Sequence, residues 1–220
     1  MRNIDQKIIK FEHEKNLKDS DFFVSKSNKH IYNFLLGWPH WEKNLINICG
    51  ENFSGKSHLI NIFIKKFNGI KIETKNLNNN FLNEVKLYQN IILENIDSSV
   101  NEKLLYSLIN IIEQDNKYLI ITSINPIVDI IFQLEDLRSR CKNFILQSIY
   151  NPDDDLIFAL ILKNLSDRQI SLDKKLIEYI TKRIGRSYSK IFDFIYKIDE
   201  ISLKKKKSID LKIIKEVLGE

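Results

Sequence analysis

One octapeptide restricts the fold of this chain more than any other feature. Gly50-Glu51-Asn52-Phe53-Ser54-Gly55-Lys56-Ser57 fits G-x-x-x-x-G-K-[ST] at every fixed position. It lies between an apolar run, Asn44 to Cys49, and an amphipathic stretch from about Lys56 to Phe67. A strand that ends in a loop and runs on into a helix N-terminus forms an anion cradle, because inward-turned amides and the helix dipole both favour negative charge. Gly50 and Gly55 admit close approaches that a Cβ would block. The pattern assigns Lys56 to the β- and γ-phosphates of a nucleotide and the Ser57 hydroxyl to its Mg²⁺ ion. Asn52 and Ser54 belong to the same loop. His58 follows on the helix and is counted with the binding set, although packing is its simpler role. The competing explanation is a chance match on an ordinary strand–turn–helix. Composition speaks against it: Ile, Asn and Lys dominate, Ala159 is the sole alanine, and only 6 glycines occur in 220 residues, so a retained glycine points to a backbone requirement.

The rest of the chain alternates in the same way. Ser25 to Asn28 offer caps for a helix carrying Ile31, Phe34 and Leu35, ended by Gly37-Trp38-Pro39. Apolar strands are predicted at Asn44–Cys49, Ile70–Ile72, Asn90–Leu93, Tyr118–Thr122 and Phe144–Leu146, with helical patterns between them. Continuous apolar strands separated by helices imply a parallel sheet covered on both faces. Beyond Asn151-Pro152 the texture changes: Asp153–Leu165, Asp173–Ile184, Tyr188–Leu203 and Asp210–Leu218 all read as helices. The expected organisation is therefore a polar tail over 1–20, an α/β domain over 21–151 and a small all-helical domain over 152–220. Lys204 to Lys207 reads as a solvated turn between helices.

A carboxylate that holds the metal through water belongs at the tip of a neighbouring strand, and Ile91-Ile92-Leu93-Glu94 supplies Glu94. The following position, where an active hydrolase keeps an acid to polarise water, holds Asn95, which can orient a water but not accept its proton. Slow self-hydrolysis follows, unless Asp97 substitutes; Asp97 could equally cap the next helix. Arg138 and Arg140, in Leu134-Glu135-Asp136-Leu137-Arg138-Ser139-Arg140, could pair with Glu135 or Asp136 at the surface. In a nucleotide-binding sheet protein, such an arginine can instead reach a neighbouring subunit's phosphoryl group, an effect worth about 10³–10⁵ in rate.

With these segments in place, the chain resembles the AAA+ ATPases related to the replication initiator DnaA, and within them the short homologues grouped as Hda. The resemblance rests on Gly50–Ser57, on Ile91–Asn95, on Trp38-Pro39-x-Trp41, and on the L-x-D-L-x-S-R segment ending at Arg140. It implies an AAA+ core with a five-stranded parallel sheet flanked by helices, followed by a helical lid. It also implies that Phe23 and Val24 line the adenine pocket and that Ser123, with Asn125 close by, ends the sensor 1 strand. Arg140 takes the arginine-finger role, with Arg138 as second choice. The family's sensor 2 arginine aligns with Ser189, leaving Arg186 or Lys190 to reach the phosphates from nearby. Gln6-Lys7-Ile8-Ile9-Lys10-Phe11 is similar to the peptide by which such proteins bind the sliding clamp: Gln6 would bond at a pocket rim while Ile9 and Phe11 fill an apolar groove. The lid-like helices run to Glu220, so no sequence-specific DNA reading is expected.

These observations leave three functions in order. The first is a regulator that binds ADP or ATP, docks on the DNA-loaded clamp and accelerates hydrolysis of DnaA-bound ATP; self-association is compatible with it. The second is an autonomous ATPase of the helicase-loader kind, which remodels a replication partner. The third is a small-molecule kinase, disfavoured by the helical second part and the Arg140 segment. A net charge of +5 tolerates an acidic partner without demanding one. No apolar run reaches the about 18 residues of a membrane span, and the charged amino end is no secretory signal. Cys49 and Cys141 lack metal or redox spacing and are expected to be reduced, in a cytoplasmic protein. His13, His30, His40 and His58 show no paired ligand spacing.

Overall fold

A computed structural model describes residues 22–205 and 209–220. The strands are β1 (Leu45–Cys49), β2 (Ile70–Glu73), β3 (Asn90–Ile96), β4 (Tyr118–Ser123) and β5 (Ile145–Ser148). The helices are α1 (Lys29–Leu36), α2 (Lys56–Phe67), α3 (Asn79–Glu84), α4 (Glu102–Gln114), α5 (Glu135–Cys141), α6 (Asp154–Asp167), α7 (Lys174–Arg183), α8 (Tyr188–Lys205) and α9 (Leu211–Leu218).

All strand pairs are parallel, in the order β2-β3-β4-β1-β5. Every residue of β1 is buried, as a strand covered on both faces requires. Alternate side chains supply two cores. On one face Leu93, Leu119 and Ile121 pack with Leu105, Leu108 and Ile112 of α4 and Leu137 of α5. On the other, Ile46, Ile48, Ile92 and Ile120 pack with Ile31 and Leu35 of α1 and Leu59, Ile60 and Phe63 of α2. Burying each such side chain stabilises by about 1.5–3 kcal/mol, and truncating one to Ala costs about 2–5 kcal/mol. Trp38 and Trp41 seal the far end of α2 against Phe63 and Phe67, with Trp41 Nε1 donating to Phe34 O at 2.7 Å.

Helices α6 to α9 enclose a third core, in which Ile157, Ile161 and Leu165 of α6 meet Ile177 and Ile180 of α7, Ile195 and Ile198 of α8, and Ile214 of α9. Asp153 caps α6 through Leu156 N–H at 2.9 Å, and Asp210 caps α9 through Ile213 N–H.

Several local expectations need correction. β3 runs on past Leu93 to Ile96, with a shift of register between Leu93 and Ile96. Asn95 sits there at φ 60°, and Thr122 Oγ1 takes its N–H at 2.9 Å, so one irregular residue lets the ladder resume. Asp97 does not cap α4. It accepts from Ser99 N–H in a turn, while Asn101, next to the helix, accepts from Leu104 N–H. Asn28 makes no side-chain cap on α1; its Oδ1 takes Ser25 N–H and closes the preceding turn instead. Lys204 and Lys205 continue α8 rather than forming a turn. Among the described residues no helix is long and apolar enough to cross a membrane, and no group of His, Cys, Asp and Glu could hold a metal. Cys49 and Cys141 are buried free thiols.

Candidate functional site: a phosphate-type loop beneath a helical lid

The loop between β1 and α2 has the backbone its sequence requires. Gly55 stands at φ 93° as the residue before α2, a conformation L side chains rarely adopt, and a Cβ there would lie 3.3 Å from Phe22. A Cβ on Gly50 would meet Ser54 Oγ at 3.0 Å and Ile149 Cβ at 3.1 Å. No side chain caps α2, so its first turn keeps the polar end that attracts anions. Ser54 Oγ is buried in the loop without a hydrogen-bond partner. Lys56 folds back, donating from Nζ to Gly50 O at 2.6 Å and Glu51 O at 2.9 Å. Burial pushes the Lys56 ammonium below its ordinary pKa, against the raising influence of Cys49 and Glu51. Asn52 and Ser57 are exposed at the loop surface.

Glu94 lies one strand beyond β4. It is 5% exposed, its Oε1 has no partner, and its Oε2 stands 3.4 Å from Lys71 Nζ. A buried carboxylate oxygen left unpartnered is costly, and together with the Ser57 hydroxyl it fits the oxygen donor set of a Mg²⁺ ion. Thr74 Oγ1 donates to Glu94 O at 2.8 Å and fixes the strand tip. Asn95 points to the edge strand, where its Nδ2 donates to Glu73 Oε2 at 2.9 Å; in the parallel register Glu73 stands beside Glu94.

Ser123, at the end of β4, is buried and accepts from Asn47 Nδ2 at 2.9 Å, while Asn47 Oδ1 accepts Ile127 N–H at 2.8 Å. One fully buried amide of β1 thereby holds the end of β4 and the segment that follows it. Gly50 N–H donates to Ser123 O at 3.2 Å, tying the loop to the same point.

Phe23 and Val24 are exposed beside the loop: their neighbour Phe22 stacks on Tyr32 and meets His58 edge-on at 5.2 Å. His58 is buried there. The segment is fastened to α6, because Asp153 Oδ2 accepts Ser27 N–H at 3.0 Å. Burial pushes the Asp153 carboxyl up, and donors from Leu156, Ser27 and Ser25 outweigh it to hold the group below its ordinary range.

The remaining candidates lie further out. Arg138 pairs with Glu135 at 3.3 Å, the surface pairing its sequence neighbours suggested. Arg140 pairs instead with Glu113 of α4, which raises its pKa, and its side chain is 37% exposed. Arg186 reaches Asp154 at 2.9 Å. Ser187 Oγ and Tyr188 N–H, just before Ser189, both donate to Glu51 of the loop. Gln6, Ile9 and Phe11 lie outside the described residues.

Sequence reasoning passed over Asn47, Thr74 and Glu73, and placed Thr122 only as part of a strand end. Only Asn47 carried a signal: a polar residue within a strand buried on both faces must find partners there.

Strand order, loop and helical appendage define the class: a P-loop AAA+ module with its lid. Residues 153–218 match the family model described as "Hda, lid domain". The chromosomal replication initiator DnaA of Campylobacter jejuni (strain 81-176) is 26% identical over 226 residues, covering 90% of this chain and 51% of that protein. DnaA of Helicobacter hepaticus is 23% identical over 223 residues, covering 90% and 49%. The chain thus spans about half the length of the curated relatives it matches. Among solved structures, domain III of Thermotoga maritima DnaA superposes with a TM-score of 0.73 at 16% identity, covering 93% of this chain and 96% of that one. AMPPCP-bound DnaA from Aquifex aeolicus gives 0.67 at 21% identity, covering 92% and 70%. Residues 153–218 carry a lid of the Hda type, and the chain as a whole is similar to the DnaA-related AAA+ proteins.

Proposed function

We propose that this chain binds ADP or ATP with Mg²⁺ and acts as an Hda-like regulator of replication initiation. It would dock on the DNA-loaded sliding clamp through Gln6, Ile9 and Phe11 and promote hydrolysis of DnaA-bound ATP through Arg140. The observation that carries this reading is the uncapped, glycine-gated cradle around Lys56, set beneath a lid of the Hda type. In it Lys56 would neutralise the terminal phosphates, Ser57 and Glu94 would hold Mg²⁺, Ser54 would find its missing partner, and Gly50, Asn52 and Gly55 would shape the pocket. The Mg²⁺ would draw charge from the phosphate oxygens. Phe23, Val24 and His58 stand beside the loop where a base would lie, and Ser123 at the adjoining strand end.

Asn95 cannot accept a proton, which suits a chain whose own nucleotide is structural and whose chemistry takes place in a partner's site. Around α5, the exposed Val128 and Ile131 and a recess of about 310 Å³ lined by Phe132 and Arg138 offer an apolar surface of the kind that meets another protein. Arg140 and Glu113 are both half-buried, so reaching a partner would require Arg140 to exchange Glu113 for the partner's phosphate. The chain's lid-side cation Arg186 is held by Asp154 and would need to leave it to touch a nucleotide. Stimulation of DnaA-bound ATP hydrolysis in the presence of DNA-loaded clamp tests the reading. The wild-type protein stimulates, and Arg140→Ala and Gln6→Ala do not; equal stimulation by all three overturns it.

A second reading, an autonomous ATPase that remodels a replication partner, is favoured by one observation. Glu73 brings a carboxylate to Asn95, so a proton acceptor stands one strand away from the usual position. Turnover by the protein alone, lost in Glu73→Gln, would select it.

A further inference from the structure

The lid meets the phosphate-type loop through the loop's own side chains. Glu51, the second residue of the loop, stands at the amino end of α8: Ser187 Oγ donates to its Oε1, and Tyr188 N–H donates to its Oε2 at 2.8 Å. A carboxylate there satisfies amides that a helix start leaves open and faces the positive end of the helix dipole. Burial pushes the Glu51 carboxyl up, yet these donors outweigh it and hold the group below its ordinary range.

Two residues on, Phe53 stacks on Phe192, one turn further along α8, with ring centroids 4.7 Å apart and planes inclined by 23°. Phe53 holds a positive φ of 66°, unusual for a bulky residue and maintained only where surroundings fix it. Behind both contacts Tyr188 is buried against the α/β core, its hydroxyl donating to Tyr150 O at 3.2 Å. Arg186 is held by Asp154, and the methylenes of Lys190 lie over Gly185.

We propose that Glu51 fastens the lid to the loop from within the protein, so that the first turn of α8 stays closed over the loop with or without nucleotide, and equally for di- and triphosphate. At the start of α8 the Ser187 hydroxyl and the Tyr188 amide read a protein carboxylate rather than a phosphate. The lid then ceases to report the γ-phosphate and becomes a fixed part of the surface the module presents. The nucleotide half of this inference rests on the proposed function; the Glu51 half does not.

Hydrogen–deuterium exchange on the full chain, free and with ADP or AMPPCP, separates the two halves. In the free wild-type protein the amides of 188–192 are protected, and either nucleotide changes their exchange by less than about twofold. Glu51→Ala speeds that segment on the order of tenfold without touching α4, as loss of a charged cap does. Ser187→Ala, which leaves the loop intact, speeds it about fivefold and decides the matter should Glu51→Ala loosen the whole fold. Exchange in the free wild type as fast as in Glu51→Ala, no effect of Ser187→Ala, or protection that arises only with AMPPCP overturns the proposal. Protection of α2 that neither nucleotide alters counts against nucleotide binding and leaves the Glu51 contact standing.

Discussion

Asn47→Ala is a sensitive perturbation of the geometry behind the site. The side chain is fully buried in the middle of β1, and its amide serves Ser123 Oγ at 2.9 Å and Ile127 N–H at 2.8 Å, with a longer contact to Ile121 O at 3.5 Å. Truncation leaves the Ile127 amide without its acceptor and the Ser123 hydroxyl without its donor, in a place water does not reach. A stranded buried polar group costs about 1–3 kcal/mol, and the hydroxyl, which can turn toward another acceptor, falls at the low end. The sum is about 3 kcal/mol. Urea unfolding followed by the fluorescence of Trp38 and Trp41, which pack on α2, reads it directly. With a slope of about 2 kcal/mol per molar, the midpoint falls by about 1.5 M. Because the same amide positions Ser123, to which Gly50 N–H is bonded, nucleotide affinity falls with it. A midpoint within about 0.25 M of wild type refutes the claim that this amide ties β1 to β4 and the segment beyond.

Other outcomes follow from the same geometry. Gly55→Ala forces a Cβ into a left-handed residue 3.3 Å from Phe22, and is expected to cost about 1–3 kcal/mol and to abolish nucleotide binding in a filter assay. Asp153 and Glu51 both have folded values below their ordinary 3.8 and 4.5, so their stabilisation is complete above those values and is lost as pH falls through the lowered ones. Asp153→Asn should therefore reduce stability at pH 7 and flatten the acid limb of a thermal-melting profile between about pH 5 and 2. Burial pushes the Cys141 thiol up to about 12, so iodoacetamide at pH 8 should spare it in the native chain and modify it in urea, as mass spectrometry would show.

The fold was largely legible because its signals are local. Apolar runs such as Leu119 to Ile121 and helical periodicity such as that of Leu105, Leu108 and Ile112 need only neighbouring residues to be read. The loop from Gly50 to Ser57 was legible for the same reason: two glycines and a lysine encode its backbone within eight positions. What escaped depends on partners distant in sequence. Nothing near Asn95 announces Glu73, nothing near Arg140 announces Glu113, and the tie from Glu51 to Ser187 joins positions 136 residues apart. The extension of β3 through Ile96 was hidden by the irregular residue Asn95, whose positive φ conceals the period of the strand.

The central claim is that the amides around Lys56 hold a nucleoside polyphosphate. Isothermal titration calorimetry of the full chain with ADP and with ATP, each with Mg²⁺, tests it most directly. The account expects a saturable heat of association for both nucleotides with the wild-type protein and none with Lys56→Ala. Absence of heat with the wild type, or equal affinity in Lys56→Ala, contradicts it.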